Sequence, residues 1–292
     1  MRVLVVTAVP AERDAVVRGV RAAAAESADT PEAAEVSVPG GRTLHRVVRP
    51  PLTVDALAAG VGPAAAAAAT ATALTAAELG TAGPGTVRPG TAGPGTARLD
   101  AAGPGTARLD AAGPGTARLD AARLDAAPYG LVVSAGIGGG FTPAPLGTVV
   151  VAEAIVAADL GAETPDGFAA VTDLGFGTVE HLPPPALVRA VAEAAGAVRG
   201  AVLTVSTVTG SAGRATELLR RHPRAAAEAM EGFGVAEAAA AHGVPVLEVR
   251  AISNTVGPRD RAAWRIGEAL DALAGAFRDL PPALATWKGP ST

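Results

Sequence analysis

The chain has 292 residues, a formal net charge of −4, no cysteine, and 36 glycines and 24 prolines against five Phe, two Trp and one Tyr. That length suits one large domain or two small ones, and the missing cysteine excludes disulfides, thiolate metal sites and cysteine nucleophiles together. Lys288 is the only lysine and the arginines form no basic stripe, so nucleic acid is not an expected partner.

Arg2 to Val9 (RVLVVTAV) is β-rich and nearly all apolar, the pattern of a strand buried on both faces. Pro10 then opens a helix, with Glu12 and Asp14 in its first turn, where carboxylates meet the positive end of the helix dipole. This start is too short and too soon charged for a signal peptide, and no apolar run approaches the ~18 residues that span a bilayer. A protein with no membrane segment, working in the cytoplasm, is expected. Thr43 to Arg49 and Leu52 to Ala59 read as strands joined by a turn at Pro50-Pro51. After Gly60-Val61-Gly62, Pro63 starts an alanine-rich helix to about Leu79, and a glycine-rich turn feeding a helix N-terminus can cradle an oxygen anion.

From Thr81 to Asp125 the chain repeats in tens (TAGPGTARLD and variants). The period is too short for a helical solenoid. Its apolar side chains are too few to offset an ordering cost of ~1 to 2 kcal/mol per residue. Residues 81–125 therefore read as a disordered insertion within a single domain, 1–280, and residues 281–292 as a C-terminal tail. Beyond the insertion, Gly130 to Ser134 is a strand followed by the glycine-rich AGIGGGF, and Thr148 to Ala157 is a longer strand. Pro185 to Val198 reads as a helix, Ala201 to Ser206 as a strand, and Ser211 as the cap of a helix to about His222. Ala225 to Ala241 reads as mainly helical, stopping at Gly243. Pro245 to Ile252 is the last strand. Ile266, Leu270, Leu273 and Phe277 mark one face of a final helix. The alternation predicts a three-layer α/β sandwich around a central mixed β-sheet.

Functional groups in such sheets collect at the carboxyl ends of strands. Four segments qualify: AVPAERD from Ala8, GIGGGF from Gly136, AMEGFGVAEA from Ala229 and RAISNTVGPRDR from Arg250. None is a P-loop, a serine nucleophile elbow or an HExxH pair. His45, His181, His222 and His242 have neither ligand nor triad spacing and read as structural, so no metal and no cofactor is expected. Separated carboxylates, an amide and glycine-rich turns suit acid/base work on a small polar substrate. Trp264 reads as packing at the start of the last helix, and Phe141 and Phe233 as either core anchors or contacts to a substrate ring.

Taken in order, these segments resemble the purine nucleoside phosphorylase/uridine phosphorylase superfamily, over residues 1–79 and 126–280. The nucleosidase branch is the better match. The resemblance implies that Glu12 activates water, that Gly60 to Gly62 and Ser134 to Gly140 are the two glycine loops, with Gly62, Ser134 and Gly136 at the substrate, that Met230 packs on the ribose and Glu231 accepts from its hydroxyls, and that Ser253 and Asn254 form the turn binding the base. Adenine-specific members carry Asp where this chain has Asn254. An amide donates to N7 or O6 of a 6-oxopurine but cannot hand over a proton as a carboxylic acid does, which favours hypoxanthine as the leaving base.

SNTVGPRDRAAWRIGEAL, with TAVPAERD and SAGIGGGF, is similar to the futalosine hydrolases of menaquinone biosynthesis. That likeness implies N-glycosidic hydrolysis through an oxocarbenium-like state. Glu12 would be the general base, Glu231 would stabilise developing positive charge, and Asn254 would stabilise the departing base. It also implies a homodimer. The substrate's carboxylate arm needs a cation, for which Arg259 and Arg261 are the candidates. The alternatives are a methylthioadenosine/S-adenosylhomocysteine-type nucleosidase, a phosphate-dependent phosphorylase, and a non-catalytic nucleoside sensor. A phosphorylase would want an arginine beside a glycine loop, and neither loop has one next to it.

Overall fold

Strand β1 (Arg2–Thr7) is buried at every position, and alternation along it already separates two helical layers. Val3 and Val5 pack with one cluster of apolar side chains, Leu4 and Val6 with the other. A computed structural model describes residues 1–23, 32–80, 83–84, 128–142 and 144–287. Helix α1 (Pro10–Ala22) follows β1. Then come β2 (Glu32–Val38), β3 (Arg42–Arg49), β4 (Leu52–Ala58), α2 (Pro63–Glu78) and the two-residue β5 (Gly83–Pro84). The second half holds β6 (Leu131–Gly140), β7 (Val149–Ala157), the small hairpin β8 (Gly161–Thr164) and β9 (Gly167–Ala170), and β10 (Glu180–His181). It continues with α3 (Pro185–Ala195), β11 (Val198–Thr204), α4 (Ala212–Arg221), β12 (Ala225–Ala229), α5 (Gly232–Ala241) and β13 (Val246–Thr255). The last helices are α6 (Ile266–Asp279) and α7 (Pro281–Thr286).

The predicted three-layer sandwich with a central mixed sheet is what forms. Helices α1, α3, α6 and α7 cover one face, with Val16, Leu187, Leu273 and Leu284 in the cluster of Val3 and Val5. Helices α2 and α5 cover the other, with Ala73, Leu74, Val235 and Ala239 beside Leu4 and Val6. Strand β1 pairs in parallel with β4 and β6, and β4 continues antiparallel through β3 to β2. On the other side the sheet curls back on itself. Strand β6 pairs with β13 and β12, β13 with β7, β7 with β11, and β11 with β12, so five strands close a ring. Sheet twist carried over several strands makes such closure possible. It gathers the carboxyl ends of β6, β12 and β13 at one place.

Three sequence expectations need correction. Ala225–Ala229 is a strand and not the first turns of a helix. Alanine favours helix, but wholly buried residues between β11 and β6 supply the ladder partners and packing that override propensity. The glycines 136–140 do not form a loop, since β6 runs through them, with Gly139 and Gly140 paired to β12. Residues 281–286, expected as tail, form α7, which buries Pro281 and Leu284 against the core. Strand β2 has no counterpart in the sequence reading. Gly83–Pro84 pairs with β2; the remainder of 81–125, where disorder is expected, lies outside the described residues.

At the amino end of the sheet Asp55 of β4, fully buried, accepts from Arg2 Nε (2.9 Å), Arg46 Nε (2.6 Å), Arg46 Nη2 (2.8 Å) and the Tyr129 hydroxyl (2.7 Å). Burial alone would raise its pKa, but the Arg46 hydrogen bonds and the charges of Arg2 and Arg46 outweigh it and hold Asp55 below the ordinary value. This network ties β1, β3 and β4 to the strand start at Tyr129. Asp55→Asn should cost about 3–5 kcal/mol, because two buried guanidinium groups lose their counter-ion. The stabilisation is present above the unfolded aspartate pKa, near 3.9, and is lost as pH falls through the lower folded value. Urea melts of wild type and Asp55→Asn at pH 7 and at low pH should therefore converge on acidification.

Candidate active site

A pocket of about 400 Å3 opens where β1, β6, β12 and β13 end, large enough for a small-molecule ligand. Of the ten site residues expected from the sequence, Glu12, Met230, Glu231, Ser253, Asn254 and Arg259 line it. Gly62, Ser134, Gly136 and Arg261 do not.

Glu12 sits in the first turn of α1, but its carboxylate turns inward and is 4 % exposed. Oε2 accepts from the backbone N–H of Ala8 (2.9 Å) and Val9 (3.2 Å), and Oε1 from that of Ile137 (2.8 Å). The strand-to-helix turn thus caps itself with the side chain that faces the pocket. Burial raises the Glu12 pKa above its ordinary value, with the Arg250 charge and the Ile137 hydrogen bond opposing. A buried carboxylate of raised basicity and fixed orientation is suited to take a proton from water.

Glu231 occupies the position before α5, two residues past the end of β12, without capping the helix through its side chain. Its Oε1 accepts from Gly62 N–H (3.2 Å), at the N-terminus of α2, where φ of +94° suits glycine. Its Oε2 lies 3.2 Å from Arg250 Nη1. Gly62 is therefore an anchor for Glu231. Asn254, at the end of β13, has its amide held on both sides. Oδ1 faces Ser253 Oγ at 2.9 Å, and Nδ2 donates to Thr255 O at 3.1 Å. One amide hydrogen stays available to the pocket.

Arg250 escaped the sequence reading as a site residue. It is fully buried beneath the pocket, donating from Nε to Glu248 Oε1 (2.9 Å) and from Nη2 to Ser134 Oγ (2.9 Å). Burial disfavours the charge, but Glu248, Glu231 and Glu12 outweigh it and hold the guanidinium protonated. The signal was present: Glu248 and Arg250 interrupt an apolar strand two residues apart, which places both on one face. Ser134, expected at the substrate, is instead an acceptor for Arg250. Gly136 is likewise beneath the pocket, and its lack of a side chain is enforced, since a Cβ there would lie 2.6 Å from Glu12 Oε1 and 2.7 Å from Arg250 Nη1.

Arg259 lines the pocket with its guanidinium carbon 5.5 Å from the centroid of the Trp264 ring, a cation–π arrangement. Arg261 is exposed, in the short 3-10 turn that follows. Trp264, read as packing, is a lining residue, whereas Phe141 and Phe233 are buried in the core. Glu228 and Thr209 also line the pocket and escaped the sequence reading.

The family model of the phosphorylase superfamily matches residues 111–280. The futalosine hydrolase of Streptomyces coelicolor is 57% identical over 289 residues, 99% of this chain and 98% of that protein. The futalosine hydrolase of Thermus thermophilus is 40% identical over 151 residues, 50% of this chain and 66% of that one. Among solved structures, a methylthioadenosine/S-adenosylhomocysteine nucleosidase from Colwellia psychrerythraea in complex with adenine superimposes with a TM-score of 0.64 at 18% identity, covering 98% of this chain and 94% of the other. The native futalosine hydrolase of Helicobacter pylori does so at 0.63 and 15%, covering 97% of each. The chain belongs to the phosphorylase superfamily and, within it, to the futalosine hydrolases. It is an N-glycosyl hydrolase of that family.

Proposed function

We propose that the chain hydrolyses the N-glycosidic bond of futalosine, releasing hypoxanthine and the dehypoxanthine product, as a cytoplasmic step of menaquinone biosynthesis. The observation that carries this reading is the Glu12 carboxylate, buried, raised in basicity, oriented by three backbone N–H groups and open to the pocket. Glu12 takes the proton of a water attacking the anomeric carbon. Glu231, held by Gly62 and Arg250, accepts from the ribose 2′- and 3′-hydroxyls and offsets the positive charge that develops on the ring. Met230 packs on the ribose. The free amide hydrogen of Asn254 donates to N7 or O6 as charge moves onto the departing base.

Hydrolysis is favoured over phosphorolysis by the charges at hand. A phosphate dianion entering this pocket would meet Glu12, Glu228 and Glu231 against Arg259 as the only lining cation among the described residues, because Arg250 is already engaged by Glu231 and Glu248. The test is incubation with futalosine, inosine and methylthioadenosine, with and without phosphate, and identification of the released base. Hypoxanthine release from futalosine independent of phosphate is expected. Phosphate-dependent turnover would overturn the hydrolytic reading, and preferential adenine release would overturn the role of Asn254.

Of the two candidate arginines, Arg259 is the one facing the pocket, beside Trp264. Arg259→Ala should raise KM for futalosine about 10- to 100-fold, the loss of one charge-assisted pair. KM for inosine, which lacks the carboxylate arm, should change little, and Arg261→Ala should change neither. Equal losses for both substrates would remove the arm-specific role. A homodimer is also proposed. Large apolar side chains at Val61 on the pocket rim, Phe176 and Leu182 are 58–68 % exposed, and a second copy would cover such surface. Light scattering coupled to size exclusion reads this directly.

A further inference from the structure

Among the described residues three carboxylates line the pocket, and the chemistry above uses only Glu12 and Glu231. The third, Glu228, is 5 % exposed and belongs to β12. In the sheet register Glu228 stands directly opposite Gly139 of β6, and Asn254 of β13 stands opposite the same glycine from the other side. Directly paired residues on neighbouring strands send their side chains to the same face, and although β13 shifts register between Ile252 and Asn254, both side chains line the pocket. Glu228 and Asn254 therefore flank a position with no side chain, their backbones two strand spacings, or roughly 10 Å, apart. The glycine is enforced. A Cβ on Gly139 would lie 2.8 Å from Val256 Cγ2 and 3.3 Å from Asn254 Nδ2. Val256 packs over Gly139 itself, and the slot is the part of the pocket that both polar side chains line, with an amide at one edge and a carboxylate at the other.

The carboxylate is held so that both oxygens act as acceptors. Oε1 accepts from Thr209 N–H at 2.8 Å, and Oε2 from the Thr209 hydroxyl at 2.5 Å. An ionised carboxylate offers about four acceptor sites, so lone pairs remain beyond those Thr209 occupies. A 6-oxopurine carries an N1–H donor next to its O6 acceptor, whereas a 6-aminopurine presents a lone pair at N1 and donors at N6. We infer that Glu228 selects the leaving base, accepting the N1–H of a 6-oxopurine while Asn254 donates to its other edge, and that Thr209 holds the carboxylate in that acceptor role. The inference rests on the reading above that a purine is held at Asn254. It assigns discrimination to two residues acting across the slot. Asn254 disfavours adenine by having no acidic proton to give, but it still offers a hydrogen-bond donor to N7 of either purine class. Glu228 makes the pocket unfavourable to adenine, because a carboxylate facing the N1 lone pair leaves two acceptors opposed.

The experiment compares wild type, Glu228→Gln and Thr209→Val on futalosine and its 6-amino analogue, by kcat/KM from released base, together with equilibrium binding of free hypoxanthine and free adenine. The amide of Glu228→Gln has nearly the same shape and can donate to N1 of adenine. The ratio of kcat/KM for futalosine to that for the 6-amino analogue should fall 10- to 100-fold in Glu228→Gln, the range for a hydrogen bond to a charged group. It should fall by less in Thr209→Val, which keeps the backbone donor. The preference for hypoxanthine over adenine in binding should shrink in parallel. A ratio unchanged from wild type, whether both substrates fall together or neither falls, would overturn the inference and leave Glu228 as a tie for the loop at Thr209. Failure of wild type to cleave futalosine would instead sink the proposed function, and the binding comparison would still decide Glu228. Because ratios are compared within one variant, partial loss of folded protein cancels.

Discussion

Glu12→Gln is expected to lower kcat for futalosine by about 100- to 10,000-fold, the usual range for general base catalysis, with little change in KM. The substitution is nearly isosteric, so the amide carbonyl can retain acceptance from the backbone N–H groups of Ala8 and Val9 or of Ile137. Binding should therefore survive while proton abstraction does not. Retention of more than about a tenth of wild-type kcat would remove Glu12 from the base role. The pH profile offers a second reading. The proposed base role requires ionised Glu12, whose pKa lies above the ordinary 4.5 because burial disfavours its charge and the opposing pull of Arg250 does not cancel that effect. The acid limb of kcat/KM should thus fall at higher pH than an exposed glutamate would give, with activity lost as pH drops through it. Residual activity in Glu12→Gln should lack that limb.

Arg250→Met should be the most damaging single change beneath the pocket. Arg250 is wholly buried, paired with Glu231 and Glu248 and within the electrostatic reach of Glu12. Removing it leaves Glu248, fully buried with Oε2 already unpartnered, without a counter-charge. Breaking a buried pair from one side typically costs about 3–5 kcal/mol. Activity should also fall, since Glu231 loses the contact that orients it and the Glu12 pKa rises further once its nearest cation is gone. The double variant Arg250→Met with Glu248→Gln separates the two effects. Neutralising Glu248 removes the stranded charge, so Tm should recover in part, while kcat should not. Recovery of both would mean that Arg250 serves the fold alone.

Much of the fold was legible because its signals are local. The apolar run of β1, Pro10 and Pro63 at helix starts, Ser211 as an N-cap accepting from Arg214 N–H (3.2 Å), and Gly243 past the end of α5 with φ of +65° each work through chemistry within a few residues. The errors occurred where local preference and tertiary pairing disagree. AAAEA is a helix-forming string by propensity and a strand by position, because β11 and β6 supply hydrogen-bond partners on both sides. The same holds for the glycines after Ser134, which look like a loop and serve as the ridge between β12 and β13.

The sequence by itself determined the layer architecture and, through residue motifs in order, the family, and it named Glu12, Glu231 and Asn254 as candidates at strand ends. Periodicity, caps and spacing are properties of neighbours along the chain, so they can be read from it. Only the tertiary structure decided which of those groups share a pocket and what lies beneath them. It sends Ser134 and Gly136 to the packing around Arg250 and leaves Arg261 in solvent. It also brings Glu228 and Asn254 to either side of Gly139, although 115 residues separate that glycine from Asn254. The reason is the closed ring of β6, β13, β7, β11 and β12. Burial of a charge and the register of one strand against another depend on residues far apart in sequence, and no local pattern encodes them.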